Sequence, residues 1–349
     1  MDFKINDKIL EMYGTPFIVA EVGINHNGEL DKAFEMIKVA KSCGVDAIKF
    51  QTFKALEFVN DEKLTYTYKS QGKMITESQL EMFQRYEFTR DEWFKIKEKC
   101  VETDILFLST PQNESDLELL QEIGIPAIKV GSDDLTNLPL LKNYCETGLP
   151  IILSSGMANL EEVEDALMTT GALEGYPTIL LVTTSEYPTS SENVNLLKFK
   201  TLSEKYPDLI LGFSDHTQGP LASSLACAFG AVFFEKHFTL SHELPGPDHW
   251  FSEDPIGLKN WVNSIKISYS MLGSKEVRAT QNEEKMKVLA RRSIVTLSNI
   301  EKGELFTRAN IGLRRPGNGL PPNMFNNVCG KTSSKNILKG SFVESGDFI

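Results

Sequence analysis

The sequence predicts an α/β fold: a TIM (β/α)8 barrel followed by a small β-rich domain. Three observations carry that expectation. Eight short apolar runs recur through the first three-quarters of the 349 residues. They do not alternate, as expected of strands buried on both faces of a parallel sheet. An amphipathic helical stretch follows each run, and eight such units in about 250 residues is the size of a closed barrel. A doubly wound open sheet is the structural alternative.

The strands are expected at 17–25 (FIVAEVGIN), 46–52 (DAIKFQT), 105–110 (ILFLST), 127–132 (AIKVGS), 150–155 (PIILSS), 178–185 (TILLVTTS), 209–214 (LILGFS) and 231–238 (AVFFEKHF). The first helix, 31–42, places Ala33, Ile37 and Ala40 at helical spacing and stops at Cys43-Gly44. Helices at 90–102, 114–123, 138–147, 160–169, 195–206, 220–229 and 256–272 follow the same logic. The segment 53–88, rich in Lys, Tyr, Gln and Ser, is too long for an ordinary βα loop. It follows the second strand, so it belongs over the C-terminal mouth and is expected to cover a substrate. These features define a barrel at 1–273, a polar linker at 274–290 and a β-rich domain at 291–349 with little core of its own.

Charge bounds the partners. The chain carries a net −12, which disfavours nucleic acid. The distribution is uneven: residues 1–273 carry −18 and residues 274–349 carry +6. No apolar run reaches about 20 residues, so no transmembrane helix is expected, and the first residues lack a secretory signal's apolar stretch. Five widely spaced cysteines with no C-x-x-C argue against a disulfide scaffold or zinc site and for a reducing, cytoplasmic home.

Catalytic groups of such a barrel sit where the strands end, and here every strand ends in polar residues. Lys49 and Lys129 are flanked by Ile and Phe or Val inside strands, where an unpaired cation is not tolerated. Two such lysines with several serines and glycines describe a site for an anion with many oxygens, such as a phosphate with a carboxylate. Structural salt bridges and a Schiff-base lysine are the competing roles. His216 and His237 end adjacent strands, about 4.8 Å apart, within reach of one divalent metal; Asp215 and Glu235 are candidate further ligands or supports. Asp248, in the rigid Pro-Gly-Pro-Asp-His turn, suits acid or base work.

The runs EVGINHNG, IKFQT, IKVGSDD, ILSSGM, SEYPT, GFSDHT, EKHFTL and PGPDH, in that order, with RRPGNG near the end, resemble the sialic acid synthase family. That family comprises N-acetylneuraminate synthases and bacterial relatives for legionaminic, pseudaminic and spore-coat sugars. The last part is similar to its antifreeze-like SAF domain. The resemblance implies that phosphoenolpyruvate condenses with the open-chain aldehyde of an N-acetylmannosamine-type sugar, water is consumed and phosphate leaves. It implies a divalent metal, manganese or magnesium, on His216 and His237, and phosphoenolpyruvate held by Lys49, Lys129, Ser132, Ser154 and Ser214. It implies Glu21 and Asp248 beside the reacting carbons, and Gln51, Thr76, Asp134 and Tyr187 along the sugar. Arg315 is implied to reach the acylamino group from the partner of a domain-swapped homodimer. Thr76, Asp134, Leu289 and Val182-Thr183 depart from the family pattern, all on or near the sugar side. That suggests a variant acceptor, such as a 6-deoxy-2,4-diacetamido sugar leading to legionaminic acid. The competing functions are a metal-dependent aldolase or isomerase that does not use phosphoenolpyruvate, and a carbohydrate-binding antifreeze-like module on an inactive barrel.

Overall fold

A computed structural model describes residues 3–349, which fall into two compact units divided between Gly273 and Ser274. In the first, eight parallel strands form the expected barrel: β1 (Phe17–Gly23), β2 (Ala47–Thr52), β3 (Leu106–Pro111), β4 (Ile128–Val130), β5 (Ile151–Ser154), β6 (Thr178–Val182), β7 (Ile210–Asp215) and β8 (Phe233–His237). They pair in the order β3-β2-β1-β8-β7-β6-β5-β4. The end strands β3 and β4 pack side by side without a ladder, so the barrel is nearly closed.

The expected helices surround it with their ends shifted by a few residues: α1 (Leu30–Cys43), α2 (Arg90–Glu102), α3 (Glu114–Ile123), α4 (Leu138–Glu146), α5 (Leu160–Thr169), α6 (Lys198–Lys205), α7 (Leu221–Ala228) and α8 (Pro255–Leu272). Capping boxes start two of them, Thr89 with Glu92 and Asn159 with Glu162. Gly44 and Gly124 end α1 and α3 in the left-handed conformation.

The strands divide the core by side-chain direction. Outward residues such as Ile18, Ile48, Leu153, Leu180 and Phe234 pack against the helices. The inward residues form two layers. The lower layer is apolar, with Val19, Ala47, Leu108, Ile152, Leu181 and Phe233. Gly212 completes it, because a Cβ there would lie 2.5 Å from Leu181 Cδ2. A hairpin of Phe3–Ile5 and Lys8–Leu10, absent from the sequence expectation, closes the bottom with Phe3, Ile5 and Leu10. The upper inward layer is polar and builds the site.

The excursion 53–88 folds as a short helix (Ala55–Phe58), a hairpin (Thr65–Ser70 with Lys73–Ser78) and a second helix (Gln79–Tyr86). The second unit has one ladder, Ser293–Thr296 with Ile311–Arg314, and bridged loops around Ile294, Ile300, Phe306, Ile311, Val328, Ile337 and Val343. That is a more definite core than its length suggests. Residues 281–290, expected as linker, are helical, started by a capping box of Thr280 and Glu283, and none is buried. The five cysteines are free. Among the described residues no helix is long and apolar enough to cross a membrane.

Candidate active site

Strand register assembles the upper layer. Glu21 stands beside Lys49 on one side and His237 on the other, and Ser214 stands beside Glu235. A β-bulge between Glu21 and Gly23 turns the end of β1, with Gly23 at φ +54°. A Cβ on Gly23 would lie 3.3 Å from Glu21, 3.6 Å from Gln51 and 3.7 Å from Asp248. Three polar side chains from three elements therefore converge there, and only glycine leaves them room.

The lysines are buried but not bare. Lys49 Nζ lies 2.7 Å from Glu21 Oε2 and 3.5 Å from Glu235 Oε2, and donates to Thr110 Oγ1 at 3.3 Å. Lys129 Nζ donates to Ser154 Oγ at 2.7 Å and lies 4.0 Å from Glu235 Oε1, which accepts from Ser214 Oγ at 3.0 Å. Burial pushes the Glu21 carboxyl up to about 7 against the pull of Lys49. Burial also opposes charge on Glu235, but Lys129, Lys49 and the Ser214 hydroxyl outweigh it and hold that carboxyl at about 2. Lys129 is drawn down by burial to about 8. Near neutrality the floor thus carries two cations against one fixed anion and a partly protonated Glu21, a net positive surface for an anion.

The imidazoles lie to one side, with ring centroids 5.5 Å apart. His216 Nδ1 sits 2.8 Å from Thr184 O. A carbonyl only accepts, so Nδ1 carries the proton and Nε2 keeps its lone pair. His237 Nδ1 is buried without a hydrogen-bond partner, 3.8 Å from Asp248 Oδ2. Burial lowers His216 to about 4 and His237 well below its ordinary value. His216 Nε2 lies 3.4 Å from Ser214 Oγ, whose proton goes to Glu235, so two neutral imidazoles with available lone pairs suit a divalent cation. Among the described residues no three His, Cys, Asp or Glu side chains form a fuller ligand set, so substrate or water would complete the shell. Burial raises Asp248 to about 7.

These groups line one cavity of about 940 Å³. Of the residues singled out from sequence, Glu21, Lys49, Gln51, Lys129, Ser132, Ser154, Tyr187, Ser214, His216, His237 and Asp248 all line it. Three do not. Thr76 is exposed on the hairpin and shares a 2.8 Å hydrogen bond with Thr67, which does line the cavity. Asp134 accepts from Asn137 Nδ2 at 3.0 Å, and its neighbour Asp133 lines the cavity instead. Arg315 is exposed in the second unit. Asp215 faces away from the cavity, bound to Thr217, Ser223 and Lys236, so it is no ligand for a metal beside His216.

Sequence reasoning underused Glu235, which joins both lysines. It stands two residues before His237, and the period of two puts both on the same face. It also missed the apolar wall: Phe53, Phe58, Met74, Met82 and Phe83 from the excursion, with Trp250 and Phe251 from the loop after β8. Phe58 and Phe83 stack edge to face at 5.1 Å, as do Phe53 and Phe83.

Comparison with known proteins adds independent findings. Residues 36–277 match the NeuB family and residues 291–348 match the SAF domain. An N,N'-diacetyllegionaminic acid synthase of Legionella pneumophila is 38% identical over 332 residues, spanning 94% of this chain and 93% of that protein. Its counterpart in Campylobacter jejuni is 37% identical, spanning 93% and 98%. The crystal structure of an N-acetylneuraminic acid synthetase from Leptospira borgpetersenii superposes with a TM-score of 0.73 at 31% identity, covering 82% of this chain and 95% of that one.

Proposed function

The chain belongs to the NeuB family and ends in a SAF domain, and on that premise we propose that it condenses phosphoenolpyruvate with the open-chain aldehyde of an acylamino sugar and with water. The products are phosphate and a nine-carbon 2-keto-3-deoxy acid. The observation that carries this reading is the positive floor of Lys49, Lys129, Ser154 and Ser214, with Glu21 standing between Lys49 and His237 and the two imidazoles beside it.

Each residue then has a task. Lys129, Ser154, Ser132 and Ser214 hold the phosphate and carboxylate of phosphoenolpyruvate, and Lys49 orients Glu21. A divalent cation, manganese or magnesium, held by His216 and His237, would supply Lewis acidity at the aldehyde oxygen. As C3 of phosphoenolpyruvate bonds to the aldehyde carbon, Asp248 in its protonated form gives a proton to that oxygen. Positive charge grows at C2, where ionised Glu21 stabilises it and takes a proton from the attacking water. The resulting hemiketal phosphate breaks the C2–O bond to phosphorus's bridging oxygen while its C2 hydroxyl passes its proton to the departing phosphate, leaving the keto group. Both lysines stay protonated throughout, so no Schiff base forms.

We infer further that the acceptor is a 6-deoxy-2,4-diacetamido sugar. A polar floor facing an apolar wall favours an acceptor with several methyl groups, and N-acetylmannosamine has only one. The two legionaminic acid synthases at 37–38% identity point the same way. The test is to supply phosphoenolpyruvate with a panel of acceptors, follow phosphate and weigh the products. Phosphate release is expected only when both substrates are present; release without an acceptor, or aldol product without phosphate, would favour the aldolase reading. Phe58→Ser and Phe83→Ser should cut kcat/KM for the diacetamido sugar about tenfold more than for N-acetylmannosamine. N-acetylmannosamine as the best substrate by a wide margin would overturn the acceptor assignment alone.

A further inference from the structure

At the ends of β7 and β8 the residues with a task face the cavity: Ser214 and His216, Glu235 and His237. Between them stand Asp215 and Lys236, which face the other way and have no part in the chemistry. Both are buried, at 0% and 2% exposure. A buried ion pair rarely adds net stability over an apolar pair of similar volume, so its presence here asks for another role.

Asp215 and Lys236 are partners in the β7–β8 register, and their Oδ2 and Nζ lie 3.1 Å apart. The carboxylate is saturated. Its Oδ1 accepts from Thr217 N at 2.8 Å and Thr217 Oγ1 at 2.7 Å. Its Oδ2 accepts from Ser223 Oγ at 2.6 Å, and that hydroxyl accepts from Trp261 Nε1 at 2.8 Å. Lys236 Nζ donates to Thr217 O and lies 3.9 Å from Glu253 Oε1, which accepts from Gly219 N at 2.8 Å. Glu253 N in turn donates to His237 O at 2.8 Å. The network grips the chain on both sides of His216 and on the C-terminal side of His237.

The placement matters because the strands stop there. β7 ends at Asp215 and β8 at His237, so beyond this pair no ladder holds the two imidazoles in relation. We propose that the Asp215–Lys236 pair is a positioning device that sets the spacing of His216 and His237 for a divalent cation. The proposal rests on the metal reading of those two histidines. Neither member is a catalytic residue, since neither touches the cavity.

The experiment uses the full chain without substrates and measures Mn²⁺ affinity by calorimetry beside thermal stability. Asp215→Asn keeps the shape and most hydrogen bonds but removes the charge. Mn²⁺ binding is expected to weaken about 10- to 100-fold, the usual cost of disturbing the support of a metal ligand. The double variant Asp215→Leu with Lys236→Met replaces the pair by apolar groups. It is expected to recover thermal stability without recovering Mn²⁺ affinity, and it answers the question if the single variant does not fold. Unchanged Mn²⁺ affinity in Asp215→Asn, or affinity that returns together with stability in the double variant, makes the pair a structural brace and overturns the proposal. Failure of the unaltered protein to bind Mn²⁺ or Mg²⁺ removes the metal reading itself, and the proposal with it.

Discussion

Glu21 shows how one residue acquires a role from its surroundings. Burial raises its carboxyl to about 7 although Lys49 lies 2.7 Å away. A raised carboxyl is protonated below that pH and ionised above it. Its assigned task, taking a proton from water, needs the ionised form. The turnover rate should therefore climb as pH rises towards about 7, where Glu21 ionises, and fall above it as Asp248 loses the proton it has to give. Glu21→Gln should lower kcat by about 10²–10⁴-fold and remove the climb. Single-turnover rates from about pH 5.5 to 9 in both proteins would check this, and a flat profile in the unaltered enzyme would sink the role. Most single residues of the site could be read from the sequence because strand ends mark them. Asp134 could not: it and Asp133 are adjacent acids in one turn, and which of them faces inward depends on how the chain leaves Val130.

At the scale of elements, periodicity is what makes a segment legible. The long helices and the apolar strands were visible because their patterns repeat enough times to stand out. The bottom hairpin was not. Its strands are three residues each, and Phe3, Ile5 and Leu10 lie among charged residues that face solvent. The helix Gln281–Ala290 was hidden for the opposite reason, since with no buried face it has no apolar stripe; only its capping box was available to read. The hairpin lends itself to a test. Phe3 is 1% exposed within the apolar layer beneath the site. Phe3→Ala should cost about 3–5 kcal/mol of stability, seen as a lower midpoint in urea. Because two apolar and polar layers separate roles inside the barrel, the KM for phosphoenolpyruvate of the folded fraction should stay unchanged. A raised KM at equal folded fraction would mean that the floor also tunes the site.

At the scale of the whole molecule the charge is uneven, −18 over residues 1–273 and +6 over residues 274–349. The acidic unit holds a cavity with a positive floor, and the basic unit carries Arg315 exposed on its surface. From the resemblance carried by RRPGNG we propose that Arg315 serves the acylamino group of a sugar bound to a partner chain. A site shared in this way makes a prediction that no single-chain site can match. Glu21→Gln disables a barrel and leaves its tail intact; Arg315→Ala does the reverse. Each variant alone should turn over poorly. Mixed and allowed to exchange subunits, half of the dimers pair one variant with the other, and each such dimer has one intact barrel facing one intact tail. Activity should recover to about a quarter of the unaltered level for a two-fold dimer with random exchange. Mixing that restores nothing, in samples shown by mass spectrometry to have exchanged, would place Arg315 with its own barrel or outside catalysis altogether.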